Sequence, residues 1–326
     1  MSLGLCVMGC GSFASIFAQT VKTLRGEIDL YFASRDLSRA QEYSGRFNGI
    51  DAFGSYGSAA ADSRIDAIYI CTPHHLHLEL ASLAARWGKH ILVEKPIAGM
   101  LEDARAITAQ AKKAGVNLMV AENYRFLSVV QKAKELVDDG TLGRLRLIQV
   151  QEQYPFEPSG WRNQAELNGG GVFIDGGIHK ASVLAYLAGR PDQVYAVAVE
   201  PGRQGLEAED GIVLMTRSAQ GVVGVINHSW SAGLVTARPW VSIAGTRATI
   251  YFELGMPWLK IVDGSSEEVI ELADDHRGLV PMVREFHQSI SEARDPSMTG
   301  EQGIEDLALV LKAYESMRLG VPVSLD

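Results

Sequence analysis

Cysteine is scarce in this chain. Its three cysteines, Cys6, Cys10 and Cys71, are too few and too oddly placed for a disulfide framework or a CxxC metal clip, so a reducing, cytoplasmic setting is expected. Long hydrophobic runs are missing as well. No apolar stretch reaches about 18 residues, the length a spanning helix needs. The first charged side chain is Lys22, but no positive segment precedes the apolar stretch and its middle holds GCGS. A buried strand and turn therefore explain it better than a signal peptide. Positive charge is in deficit: 30 Lys and Arg against 39 Asp and Glu leave a net charge of -9, which argues against nucleic acid or a membrane as partner. The deficit lies wholly after residue 122, since the first 122 residues carry 12 charges of each sign. Internal repeats, Pro-rich linkers and low-complexity tracts are also lacking.

Apolar surface is present in ordinary measure. Of 326 residues 47% are hydrophobic and 21% charged, the composition of a globular protein large enough for about two domains. LGLCVMG reads as a strand buried on both faces, and Phe13, Ile16, Phe17, Val21 and Leu24 then recur at helical spacing. DLYFAS, DAIYICTP, HILVEKP and VNLMVAE are further strands, separated by helices, one of them opened by Asp36. This alternation predicts an α/β fold with a doubly wound parallel sheet over 1–122. Over 123–326 the pattern changes to apolar/polar alternation in LRLIQVQEQYPF, QVYAVAVE, GIVLMTR, GVVGVINHSW, PWVSIAG and RATIYFEL, which predicts a mostly antiparallel sheet with one face covered by its own helices. Two helices, about 280–293 and 301–319, close the chain.

Chemistry concentrates at the ends of the predicted strands. Gly9, Gly11 and Ala14 in GCGSFA lie between a strand and a helix opened by Ser12 and Phe13, the arrangement that lets a backbone approach a dinucleotide pyrophosphate. At the end of the second strand stand Ser34 and Arg35, where an acidic residue would select NAD. A hydroxyl and a guanidinium suit the 2′-phosphate of NADP, with Asp36 on the ribose of NAD as the other reading. Thr72, Pro73 and His77 in CTPHHLH and Glu94 and Lys95 in EKP follow later strands, where ligands of open α/β sheets bind. No Cys or carboxylate cluster completes a metal site around His74 and His77. Lys95 at that edge can polarise an alcohol or carbonyl oxygen. Asp175 and His179 in GGGVFIDGGIH are four residues apart, so on a helix start they share a face and the carboxylate can orient the imidazole.

GCGSFA, CTPHHLH, VEKP, ENYRF, WR, GGGVFIDGGIH and YESMRLGVPV, spread over nearly the whole chain, resemble the Gfo/Idh/MocA family, named after glucose-fructose oxidoreductase and inositol dehydrogenase. The resemblance implies an N-terminal Rossmann domain for NAD(P) over 1–122. Over 123–326 it implies a substrate-binding and oligomerisation domain, whose large open sheet buries its free face in a homodimer or homotetramer. It implies hydride transfer between nicotinamide and a secondary alcohol or ketone of a sugar, inositol or related polyol, with Lys95, Asp175 and His179 as the catalytic set. In oxidation His179 would take the hydroxyl proton, Asp175 would orient it and Lys95 would stabilise the alkoxide, although Lys95 and His179 can exchange roles. Tyr124, Arg125, Trp161 and Arg162 are expected in the substrate pocket wall. Two positions depart from the family pattern: His74 where Asn often follows TP, and Ser182 where Asp commonly follows the His by three. The alternatives are a non-catalytic nucleotide-binding sensor of the same fold, or a reductase of a non-sugar substrate such as an imine or a tetrapyrrole.

Overall fold

The computed structural model describes residues 2–199, 205–231, 241–274 and 276–325. Glu200, Pro239 and Trp240, at the ends of expected strands, lie outside the described residues. The first part of the chain alternates β1 (Leu3–Met8), α1 (Ser12–Val21), β2 (Ile28–Ala33), α2 (Leu37–Phe47), β3 (Asp51–Phe53), α3 (Tyr56–Ala61), β4 (Ala67–Ile70), α4 (His77–Arg86), β5 (His90–Glu94), α5 (Leu101–Ala114) and β6 (Leu118–Ala121). The six strands pair in parallel in the order β3-β2-β1-β4-β5-β6. This is the doubly wound order in which the chain reverses direction between β1 and β4, the crevice where nucleotides bind. Every residue of β1 and β4 is buried, as their unbroken apolar runs require when helices cover both faces. The sequence pattern missed β3 and α3, which are too short to show a period.

The rest of the chain forms α6 (Ser128–Asp138), β7 (Leu145–Gln153), α7 (Ala165–Asn168), α8 (Ile178–Ala188), β8 (Gln193–Ala198), β9 (Gly211–Arg217), β10 (Val223–Ser229), β11 (Val241–Gly245), β12 (Thr249–Phe252), β13 (Trp258–Asp263), β14 (Ser266–Glu271), α9 (Leu279–Ser291), α10 (Gly300–Leu319) and β15 (Val323–Ser324). Among the described residues, strands β7 to β15 make one nine-stranded sheet, β14-β13-β12-β11-β7-β10-β9-β8-β15, in which only β7 and β10 run parallel. Its core face carries Ile148, Val150, Val194, Leu214, Ile226, Ile250 and Phe252, all buried, with α8 packed against β7 and β10. On the other face Tyr195 and Val225 stand opposite Met215, and Val197 opposite Val213, across three strands, with Val223 opposite Arg217.

The chain divides into two compact units, Met1–Glu122 with Leu279–Ile304, and Asn123–Gly278 with Glu305–Asp326. The first unit is discontinuous: residues 279–304 join residues 1–122 in it, and the second unit resumes at residue 305. The reason is packing: α9 lies against α1, and Val120 donates its N–H to the Met298 carbonyl at 3.0 Å. Among the described residues, no helix is long and apolar enough to cross a membrane.

Candidate active site

The nucleotide end of the first unit is built by two glycines. Gly9 has φ +104° and a Cβ there would lie 2.5 Å from the Cys71 carbonyl oxygen, so only glycine lets β1 turn this close to the loop after β4. Gly11 is the N-cap of α1, with extended backbone, no side chain capping the helix and nothing within 4 Å of where a Cβ would be. The first N–H groups of a ten-residue helix are thereby left for an anion, and no acidic residue stands in its first turn. Ser12 is exposed and Phe13 half-buried beside them, while Ala14 is buried where α1 meets the sheet. Cys10 is buried, and burial pushes its thiol up to about 11.

At the end of β2, the Ser34 hydroxyl accepts the Asp36 N–H at 3.2 Å, and Asp36 caps α2 by accepting the Ser38 N–H at 2.9 Å. Asp36 is thus engaged as an N-cap, and Arg35 is exposed. Arg39, in the first turn of α2, is a residue that sequence reasoning missed. It lies close enough to Cys10 and Tyr43 to favour the ionised form of both groups, against burial. The Tyr43 hydroxyl in turn donates to the Gly11 carbonyl at 3.0 Å.

The loops after β4 and β5 are tied by His77. Its Nε2 is 3.1 Å from the Thr72 carbonyl, and its Nδ1 is 3.1 Å from that of Pro96 and 3.3 Å from that of Ile97. Burial pushes the ring down to about 4, so it is neutral and donates one proton to these acceptors. His77 has no exposed surface, which corrects its reading as a cofactor contact: it can act only by holding the two loops. Thr72 Oγ1 is buried without a hydrogen-bond partner, and Pro73 beside it is half-buried. Glu94 is buried and accepts the Tyr69 hydroxyl; burial raises its carboxyl to about 7 against the pull of Lys95. Lys95 itself is half-buried at the mouth of the sheet, joined to Pro96 by a cis peptide. The glycine cradle, the uncapped helix and the orphaned Thr72 hydroxyl fit a dinucleotide.

In the second unit, Asp175 lies in a π-turn, Phe173–Gly177, that leads directly into α8 and His179. Such wide turns displace side chains from the regular helical positions and recur at functional sites. Asp175 is buried and accepts the Arg162 Nε–H at 2.7 Å, while the Arg162 guanidinium lies 4.5 Å from the Trp161 ring centroid. His179 is half-buried and stacks on Tyr124, centroids 4.1 Å apart at 11°. Trp161, Arg162 and Tyr124 keep partial exposure, whereas Arg125 does not. Its Nη2 donates to both oxygens of Asp306, at 3.0 and 3.2 Å, and its Nε donates to the Ser182 hydroxyl at 2.7 Å. This corrects the reading of Arg125 as pocket wall: a guanidinium spent on a buried carboxylate is structural. Ser182, fully buried, answers Arg125 and does not face a substrate.

The glycines around Asp175 admit protein side chains. A Cβ at Gly171 would meet Glu209 at 2.2 Å, one at Gly170 the Tyr314 ring at 2.5 Å, and one at Gly176 the His228 Nε2 at 2.7 Å. Tyr314, from the late YESMRLGVPV motif, accepts the N–H groups of Gly171 and Ile174 and donates to Glu209, which also accepts the Phe173 N–H. This pair caps the turn that carries Asp175. Lys180, Glu152 and His228, buried or nearly so beside His179, also escaped the sequence reading, because nothing local marks a charge that folding will bury.

Comparison with known proteins gives one consistent family. Residues 3–122 match the family described as "Oxidoreductase family, NAD-binding Rossmann fold", and residues 130–251 match the "GFO/IDH/MocA C-terminal domain". The 1,5-anhydro-D-fructose reductase of Ensifer adhaerens is 27% identical over 94% of this chain and 93% of its own. The D-xylose 1-dehydrogenase (NADP(+)) 2 of Haloferax volcanii is 29% identical over 90% and 91%. Among solved structures, a levoglucosan dehydrogenase in complex with NADH and levoglucosan shares the fold, with TM-score 0.91 at 22% identity over the whole of both chains.

Proposed function

The chain belongs to the Gfo/Idh/MocA family of NAD-binding oxidoreductases, and from that premise we propose a dehydrogenase or reductase of a sugar or polyol that prefers NADP to NAD. The reductase and dehydrogenase names of its relatives support the substrate class, and Ser34, Arg35 and Arg39 support the cofactor. The observation that carries catalysis over mere nucleotide sensing is the His179 face: a half-exposed imidazole follows, one turn on, a buried carboxylate that Arg162 anchors.

Gly9, Gly11, Ser12 and the first turn of α1 would hold the pyrophosphate, with Thr72 and Glu94 toward the nicotinamide, which supplies hydride acceptance or donation when bound. His179 takes the substrate hydroxyl proton in oxidation and returns it in reduction. Asp175 orients His179, and Lys95 stabilises the negative charge that develops on the substrate oxygen. Trp161 and Tyr124 offer aromatic faces to the C–H groups of a sugar ring. The apolar open face of the nine-stranded sheet supports a homodimer or homotetramer, and three free thiols support a reducing, cytoplasmic setting.

Sugars and polyols offered with NADP and NAD, followed by reduced-nicotinamide absorbance, test this reading. Turnover is expected with at least one, and His179→Ala or Lys95→Met should lower kcat by about 10² or more with cofactor affinity little changed. Nucleotide binding without any turnover would favour the sensor, and normal turnover by His179→Ala would end this mechanism.

A further inference from the structure

A buried cation stands beside the imidazole. Lys180 is 1% exposed; its ammonium pairs with the Glu152 carboxylate, donates to the Gly176 carbonyl at 3.1 Å and lies 5.0 Å from the centroid of the Tyr124 ring. That same ring carries the stacked His179 imidazole. A charge taken out of water is costly even when paired, and a methionine of similar length would fill the space without that cost. The retained charge therefore has work in the cluster beyond packing.

His228 shows what the ammonium does to a neighbouring ring. It is fully buried, with Nδ1 3.0 Å from the Glu152 carbonyl, so the neutral ring donates from Nδ1 and leaves Nε2 bare above Gly176. Burial first, and then the Lys180 charge, hold this ring well below its ordinary value. His179 belongs to the same cluster. Among the described residues, the charged and titratable groups there include Asp175 with Arg162, Lys180, Tyr124, Glu152, Tyr154 and His228, drawn from α8, its π-turn, β7, β10 and the segments that hold Tyr124, Tyr154 and Arg162. Asp175 favours an imidazolium and Lys180 opposes it, each softened by its own counter-ion.

We propose that Lys180 is a positioning residue for His179: through Tyr124 it fixes the imidazole plane, and through its charge, metered by Glu152, it favours the neutral ring that can accept a proton. This rests on His179 as the base, but its physical content concerns the ring alone and is measurable without turnover.

The test is an NMR titration of the His179 ring, assigned by its loss in His179→Gln, in the wild type, Lys180→Met, Lys180→Arg and Glu152→Gln. Lys180→Met should raise the His179 midpoint by at least half a pH unit, Glu152→Gln should lower it, and Lys180→Arg, which keeps the charge, should restore it. An unchanged midpoint in either charge-altering variant that folds overturns the proposal. If both fail to fold, Tyr124→Leu decides: it keeps both charges but removes the ring, so the upfield ring-current shift of His179 should vanish, and its persistence overturns the proposal. Failure of the base reading appears elsewhere, as turnover by His179→Ala with these shifts intact.

Discussion

Arg35 and Arg39 are exposed, four residues apart, and flank Asp36, the N-cap of α2, whose carboxylate is engaged with Ser38. Two guanidiniums there suit a 2′-phosphate and have little to offer a bare ribose. Arg35→Ala and Arg39→Ala should each weaken NADP binding by roughly 1.5–3 kcal/mol and leave NAD almost unchanged, as read by titration of nicotinamide fluorescence. Equal losses for both cofactors would overturn the preference. At this scale, legibility followed locality. The Asp36 cap obeys a rule set by two neighbours in the chain and is visible in the letters, as is the glycine fingerprint at Gly9. His77 is governed by carbonyls 19 and 20 residues further on, so a histidine that binds only backbone looks in sequence like one that binds a ligand.

Between elements, the Arg125 contact joins the short helical turn Asn123–Phe126 to α8 through Ser182 and to the second-unit part of α10 through Asp306. Both charges are almost wholly buried. Arg125→Ala should therefore destabilise the second unit by about 3–5 kcal/mol, because it strands a carboxylate, whereas replacing both partners by apolar residues should cost much less. Chemical denaturation of the single and double variants measures this. A single variant of wild-type stability with a raised KM would return Arg125 to the pocket wall. The strands and long helices of this chain were legible from their periods, and so was the four-residue spacing of Asp175 and His179. The π-turn beneath them was not, since the bonds that widen it come from Tyr314 and Glu209, elements away.

For the molecule as a whole, the acidic bias and alternating strands of the second part announced a sheet with a free face, and the structure puts Val197 and Met215, each 50% exposed, on that face. Met215→Glu should convert the proposed oligomer to a species near 35 kDa in light scattering, since a carboxylate at the centre of the proposed interface would lose its water. A wild-type protein already at that mass would refute the interface. The discontinuity of the first unit was not legible in the sequence. The change of rhythm at residue 122 marks where the parallel sheet ends, but α9 is an ordinary amphipathic helix whose letters do not say which sheet it serves. That return of the chain bears on how the protein is made. The ribosome completes β6 long before it reaches Leu279, so the apolar face of α1 that α9 will cover waits uncovered while strands β7 to β14 of the second sheet are synthesised. The nucleotide-binding unit comes first in translation and is among the last parts to be finished.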